Sequence, residues 1–133
     1  MNIAIIPARG GSKRIKKKNI KNFFRKPILQ YTFEIIKKSK LFSKIILSTD
    51  DLRIARVGKK IGFKIVLKRS KKNSGSKSTT IDAVKECLEQ FNHKNNYNLC
   101  CIYPCSIFIT KHDMTKGLRI LNRNQNYFVY PVQ

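Results

Sequence analysis

Apolar positions fall into two rhythms along this chain: short continuous runs, and sets that recur at every third or fourth residue. Asn2 to Ile6, Lys44 to Ser48, Lys64 to Leu67 and Asn98 to Tyr103 are runs and read as strands. Leu29, Phe33 and Ile36 recur at helical spacing and predict a helix over Ile28 to Lys38, with Pro27 at its start where proline is tolerated. Ile54, Val57 and Ile61 predict a second helix, which Asp50 is placed to cap and Gly62 to stop. Ile81, Val84, Leu88 and Phe91 form one face of a helix over Thr79 to Phe91. Thr110 and Asp113 have capping-box spacing and open a helix with Met114, Leu118 and Leu121 inward. Tyr127 to Val132 reads as the start of a fifth strand. The Asn98 to Tyr103 run is hydrophobic on both faces, which predicts a central position in the sheet.

Strands and helices therefore alternate. That order predicts an α/β architecture with a mostly parallel sheet between helices on both faces, over one domain spanning residues 1–133. The final run stops at Val132 and Gln133 with nothing to close it, so the domain is expected to be C-terminally incomplete. In such sheets ligands bind beyond the carboxyl ends of the strands, where the strand order switches. The segments at those ends are the loop after Ile6, the polar loop from Arg69 to Lys77, and the turn Tyr103-Pro104-Cys105-Ser106.

The loop after Ile6 carries the strongest chemistry. Arg9, Gly10, Gly11, Ser12, Lys13, Arg14, Lys16, Lys17 and Lys18 join adjacent glycines to a run of cations. Glycines let backbone N–H groups turn toward an anion without Cβ clashes, and the cations add charge, so the loop suits a polyphosphate. The spacing is neither that of a Walker A loop nor Gly-x-Gly-x-x-Gly, which argues against a dinucleotide site.

Charge adds a competing idea. The formal net charge of +22 suits a polyanion partner. The excess is mostly lysine spread along the whole chain, and Lys, Asn and Ile share AT-rich codons. No aromatic residues interleave with a basic stripe, so no dedicated nucleic-acid surface is expected, only weak retention at low salt. Cys87, Cys100, Cys101 and Cys105 have neither zinc nor disulfide spacing and read as free thiols of a cytoplasmic protein. No apolar stretch is long enough to cross a membrane, no signal peptide is apparent, and no membrane partner is expected. His93 and His112 read as surface residues.

Ile6-Pro-Ala-Arg-Gly-Gly-Ser-Lys-Arg-Ile followed by Lys18-Asn19-Ile20 resembles the opening signature of the acylneuraminate cytidylyltransferases. Ser48-Thr49-Asp50-Asp51 with Ile54-Ala55 is similar to their second strand and helix, and Cys100-Cys101-Ile102-Tyr103-Pro104 with Phe108-Ile109-Thr110 looks most like the pseudaminic acid branch. The sialic acid branch typically has Gln where this chain has Tyr103. The resemblance covers the N-terminal part of the family's chain. It implies a Rossmann-like, GT-A-like nucleotidyltransferase fold and transfer of CMP from CTP to a nine-carbon acidic sugar, with release of pyrophosphate, for surface glycan biosynthesis. It places Arg9, Gly11, Ser12, Lys13 and Lys18 on triphosphate-binding positions, with Arg9 and Lys18 offsetting charge at the reacting phosphates. Asn19 falls on a nucleoside contact and Arg69 on an arginine that reads cytosine. Thr80 falls on a nucleotide-contacting Ser or Thr, and reads equally well as a helix cap. Tyr103 and Pro104 border base and sugar. A homodimer is the form that relatives suggest.

This chain departs from the pattern at Ser70 to Lys77, where base replaces acid after Arg69, and at Ile107, where the branch usually has Pro. The larger departure concerns Mg²⁺, the cofactor the resemblance implies. The acids are Glu34, Asp50, Asp51, Asp82, Glu86, Glu89 and Asp113, and none forms an Asp-x-Asp pair at a strand end. No metal ligand is assigned here; the family's lie further along its chain. Asp50 and Asp51 look catalytic as a pair, yet capping explains them. Alternatives to an enzyme are a nucleotide-binding fragment without catalysis and, less favoured, a basic nucleic-acid-binding module.

Overall fold

The computed structural model describes residues 1–12, 14–75, 77–92, 96–124 and 128–131. In chain order the elements are β1 (Asn2–Pro7), β2 (Asn22–Phe23), β3 (Lys26–Pro27), α1 (Ile28–Ser39), β4 (Lys44–Thr49), α2 (Leu52–Ile61), β5 (Ile65–Lys68), α3 (Thr80–Phe91), β6 (Asn98–Cys101) and α4 (Lys111–Arg123). Short 3₁₀ turns occupy Lys18–Ile20 and Lys72–Ser74. The large sheet runs β5-β4-β1-β6, all parallel, while β2 and β3 form a separate small antiparallel ribbon.

Side-chain alternation along β1 divides the core. Ala4 and Ile6 face Leu29, Phe33, Ile36, Ile54, Phe63 and Met114 on one side of the sheet. Ile3 and Ile5 face Ile46 and Cys87 on the other, with Val84, Leu88 and Phe91 packed around them. α1, α2 and α4 thus cover one face and α3 the other, the three-layer arrangement that the alternating pattern predicts.

Most element boundaries fall within a residue or two of the sequence reading. Gly62 ends α2 with φ 117°, a conformation that favours glycine. Thr110 and Asp113 form a reciprocal capping box on α4. Asp51, rather than Asp50, caps α2: its Oδ1 accepts from the amides of Arg53 and Ile54 at 2.7 and 3.3 Å. Thr79, rather than Thr80, caps α3, in a second capping box with Asp82. Ile81 is exposed, because the stripe that meets the sheet runs through Ala83 and Cys87 and Ile81 lies on the far side of the helix from it. β6 pairs with β1 alone among the described residues, so it flanks the sheet instead of lying at its centre. Its apolar residues report that helices cover both faces; they say nothing about partners along its edge. Residues 128–131 carry no strand, and the rest of that expected strand lies outside the described residues, as does His93.

Gly58 gives a direct test of this packing. It is buried in α2, and a Cβ there would collide with Cδ2 of Leu47 in the fully buried centre of β4. Ala gains about 1 kcal/mol of helix propensity. Overpacking costs about 1–3 kcal/mol, toward the upper end where the neighbour has no room to retreat. Gly58→Ala is therefore expected to lower unfolding stability by about 2 kcal/mol in a urea titration. An unchanged midpoint would show that β4 and α2 are looser than drawn.

Candidate nucleotide-binding site

β1 lies between β4 and β6, so the winding of the sheet reverses there and a crevice opens beyond the strands' carboxyl ends. A cleft of about 740 Å³ occupies that place. The loop after β1, the loop after β5 and the turn after β6 line it, as the sequence predicts.

The β1 loop is held at several points. The Ala8 amide donates to the Ser48 carbonyl at 2.8 Å and extends the β1–β4 pairing. The Gly10 amide donates to Asp50 Oδ1 at 2.8 Å. The Ser12 amide turns back to the Gly10 carbonyl at 2.9 Å. Asn19, almost fully buried, donates from Nδ2 to the Arg9 carbonyl at 2.9 Å. Two of the amides that glycine was expected to free for an anion, those of Gly10 and Ser12, are thus engaged within the protein. Lys17 adopts a left-handed conformation (φ 55°) and turns the chain into the 3₁₀ segment that begins at Lys18.

Arg9, Ser12, Lys18, Asn19, Arg69 and Thr80 all border the cleft. Gly11 is exposed on the loop and is not part of the lining, and Lys13 lies outside the described residues. Arg14 also borders the cleft, whereas Lys16 and Lys17 are exposed elsewhere on the loop. Pro7, Ile15, Asn73, Ser78, Thr79 and Cys105 also line the cleft, and the sequence reading gave none of them a ligand role. The polar composition of the Arg69 to Lys77 loop was the signal for Asn73, and Ser78 and Thr79 lie just beyond that loop.

Arg69 is the unusual group. Only 6 % of it is exposed, and its Nε and Nη2 are buried without a hydrogen-bond partner. Among the described residues no carboxylate comes within ion-pair distance. Burial pulls its pKa below the usual arginine value, while the charges of Asp50 and Glu86 oppose that shift. Glu86 is occupied elsewhere: its carboxylate accepts from the Ser70 amide at 2.7 Å and from Asn73 Nδ2 at 2.8 Å, which shapes the loop after β5. Burial alone would raise the Glu86 pKa, but those donors and the charge of Arg69 hold it below the ordinary value. Arg69 borders the cleft, and a buried guanidinium with unpaired donors calls for an acceptor that the described residues do not supply.

The remaining contacts close the cleft. Arg9 Nη1 donates to the Gly75 carbonyl at 3.2 Å and joins the β1 and β5 loops. The hydroxyls of Thr80 and Tyr103 lie 2.7 Å apart and join α3 to the turn after β6. Thr32 on α1 anchors that turn through the Pro104 carbonyl at 2.8 Å. Tyr103 and Pro104 border the cleft themselves. The four cysteines are free thiols, and burial pushes Cys87 up to about 12, too high for a thiolate nucleophile at neutral pH.

No carboxylate lines the cleft, and no group of three His, Cys, Asp or Glu side chains could hold a metal among the described residues. Asp50 and Asp51 are engaged by Gly10 and by the start of α2. The described residues do not fit a Mg²⁺ site, and the cations and hydrogen-bond donors of the cleft wall suit an anionic, hydrogen-bonding ligand.

The cytidylyltransferase family profile matches residues 3–133. A pseudaminic acid cytidylyltransferase of Campylobacter jejuni is 35% identical over 99% of this chain and 61% of its own. A bifunctional pseudaminic acid cytidylyltransferase and hydrolase of Helicobacter pylori is 36% identical over 93% of this chain and 24% of its own. The chain thus spans less than two thirds of these relatives. Among solved structures, a CMP:2-keto-3-deoxy-manno-octonic acid synthetase complexed with CTP superposes with a TM-score of 0.78 at 18% identity, over 95% of this chain and 49% of that one. A cytidylyltransferase of Leptospira borgpetersenii gives 0.72 at 20% identity, over 95% and 51%. No helix among the described residues is long and apolar enough to cross a membrane. The profile match over nearly the whole chain shows that this protein belongs to the cytidylyltransferase family of nucleotidyltransferases.

Proposed function

We propose that the cleft binds CTP and forms the nucleotide half of a CMP transfer onto a nonulosonic acid of the pseudaminic type. The observation that carries this reading is Arg69, a residue of the cleft wall whose Nε and Nη2 are buried with no acceptor among the described residues. The carbonyl and ring nitrogen of cytosine are such acceptors. Lys18 is exposed on the cleft wall and supplies a mobile point charge for the triphosphate. Arg9 spends one donor on Gly75 and has others for a phosphate oxygen. In the transfer the sugar's anomeric hydroxyl gives up its proton to solvent as its oxygen attacks the α-phosphorus, and the bond from that phosphorus to the α–β bridging oxygen breaks to release pyrophosphate. Both substrates are anionic, so cations that hold and align the phosphates lower the barrier by positioning and by charge. The relatives named for pseudaminic acid support that sugar class, and a homodimer is part of the same proposal.

A second reading has its own support. With no carboxylate on the cleft, the described residues are suited to binding CTP without turning it over. A thermal-shift comparison of CTP, UTP and ATP, each with and without Mg²⁺, tests the first part. Ligand at a hundred times its dissociation constant stabilises by about 2.7 kcal/mol, so CTP is expected to raise the midpoint by several degrees and UTP and ATP by much less. Equal shifts with all three would remove the base-reading role of Arg69. Pyrophosphate release from CTP and a nonulosonic acid separates the enzyme from the binding fragment.

A further inference from the structure

We infer that Asp50 is a positioning residue for the triphosphate loop, acting through the Gly10 amide from outside the cleft; this rests on the reading of the cleft as a CTP site. Its Oδ1 accepts the Gly10 N–H at 2.8 Å, yet Asp50 is not part of the cleft lining. The carboxylate therefore reaches the loop from the β4 end and leaves the cleft free. Asp51 meets the same glycine differently: its Cβ lies 2.7 Å from where a Gly10 Cβ would stand. The two aspartates clamp one residue, one by a hydrogen bond and the other by filling the space beside it. Adjacent pins at Ala8 and Arg9 leave the loop backbone little freedom to swing.

The same carboxylate is a counter-charge. Asp50 is the largest favourable charge acting on Arg69, although no direct ion pair forms. A direct pair would consume the donors of Arg69, whereas a carboxylate fastened to Gly10 balances the charge and leaves Nε and Nη2 free. Capping does not explain Asp50, because Asp51 performs it.

Charge and position can be separated with two variants. Asp50→Asn keeps an acceptor for Gly10 and removes a negative charge near the triphosphate. Asp50→Ala removes both. Calorimetric titration with tripolyphosphate, CTP and CMP is expected to show Asp50→Asn binding tripolyphosphate as tightly as the unsubstituted chain or up to about threefold tighter. Asp50→Ala is expected to bind tripolyphosphate and CTP about tenfold more weakly, although it loses the same negative charge, while CMP weakens by less than about threefold. General loss of structure would weaken CMP equally, and that result would overturn the inference. So would Asp50→Ala binding tripolyphosphate as well as Asp50→Asn does. Failure of the unsubstituted chain to bind CTP or tripolyphosphate would overturn the CTP reading itself and this inference with it.

Discussion

Replacing Arg69 with methionine is expected to make the chain more stable and to remove most of its affinity for CTP. Arg69 is 6 % exposed, with Nε and Nη2 unpaired. Its burial carries a desolvation cost that no hydrogen bond to Nε or Nη2 from the described residues repays. The nearby acids keep their hydrogen bonds without it: Asp50 holds Gly10, and Glu86 holds Ser70 and Asn73. Removing the guanidinium therefore strands no buried carboxylate, and methionine fills much of the same volume. A gain of about 1–2 kcal/mol in urea unfolding is expected. The loss on the ligand side is larger. Two hydrogen bonds from a charged donor contribute about 1.5–3 kcal/mol each, so CTP affinity is expected to fall at least about 100-fold in a calorimetric titration. Arg69→Lys keeps the charge without the planar fork and should lose selectivity for CTP over UTP more than it loses affinity. A variant that binds CTP normally, or that unfolds at lower urea, would refute this account of Arg69.

Gly10→Ala is the second large effect. Gly10 does not have a positive φ, so alanine can adopt its backbone conformation; the obstacle is space. A Cβ would stand 2.7 Å from Asp51 Cβ and 2.8 Å from its Oδ2. Asp51 cannot simply move aside, because it caps α2 and pairs with Arg53 at 2.9 Å. Either the loop shifts and loses the Asp50 contact, or α2 loses its cap, at about 1–2 kcal/mol. CTP affinity is expected to fall about 10- to 100-fold with the displaced loop. The double variant Gly10→Ala, Asp51→Gly separates these outcomes. Glycine is a tolerable N-cap, worse than aspartate by only a few tenths of a kcal/mol, and it vacates the contested space. The double variant should recover most of the CTP affinity, and the coupling between the two sites measures the clash. No recovery would mean that Gly10 is needed for something other than its fit against Asp51.

Much of this was legible in the chain itself, and the misses share a cause. The rhythm of Ile3 to Ile6, with alternate residues on opposite faces, is a local property of a strand and predicts a two-sided sheet directly. The Gly-Gly loop and its cations predict an anion site, because glycine and lysine carry that chemistry in any fold. Asp50 and Asp51, by contrast, are adjacent acids that could each cap α2, and Thr79 and Thr80 are adjacent threonines at the start of α3, of which the sequence reading considered Thr80 as the cap. A shift of one residue passes the capping role from one side chain to its neighbour. For the aspartates that choice is made by where β4 ends, which depends on the β1–β4 register and not on the local sequence. The position of β6 is similar, since burial of both faces and pairing at both edges leave the same apolar signature.

The sequence by itself thus determined the alternating α/β order, the placement of three loops at one end of a parallel sheet, and the run of cations in the loop after β1. Those features follow from local spacing and residue chemistry. Only the tertiary structure decided that Arg69 is buried with its donors free, and that Asp50 belongs to the loop after β1 while Asp51 belongs to α2. It also decided that the Gly10 and Ser12 amides are already engaged. The reason is physical: burial and hydrogen-bond satisfaction depend on which distant segments the sheet brings together. Gly10 and Asp50 lie forty residues apart in sequence and 2.8 Å apart in space.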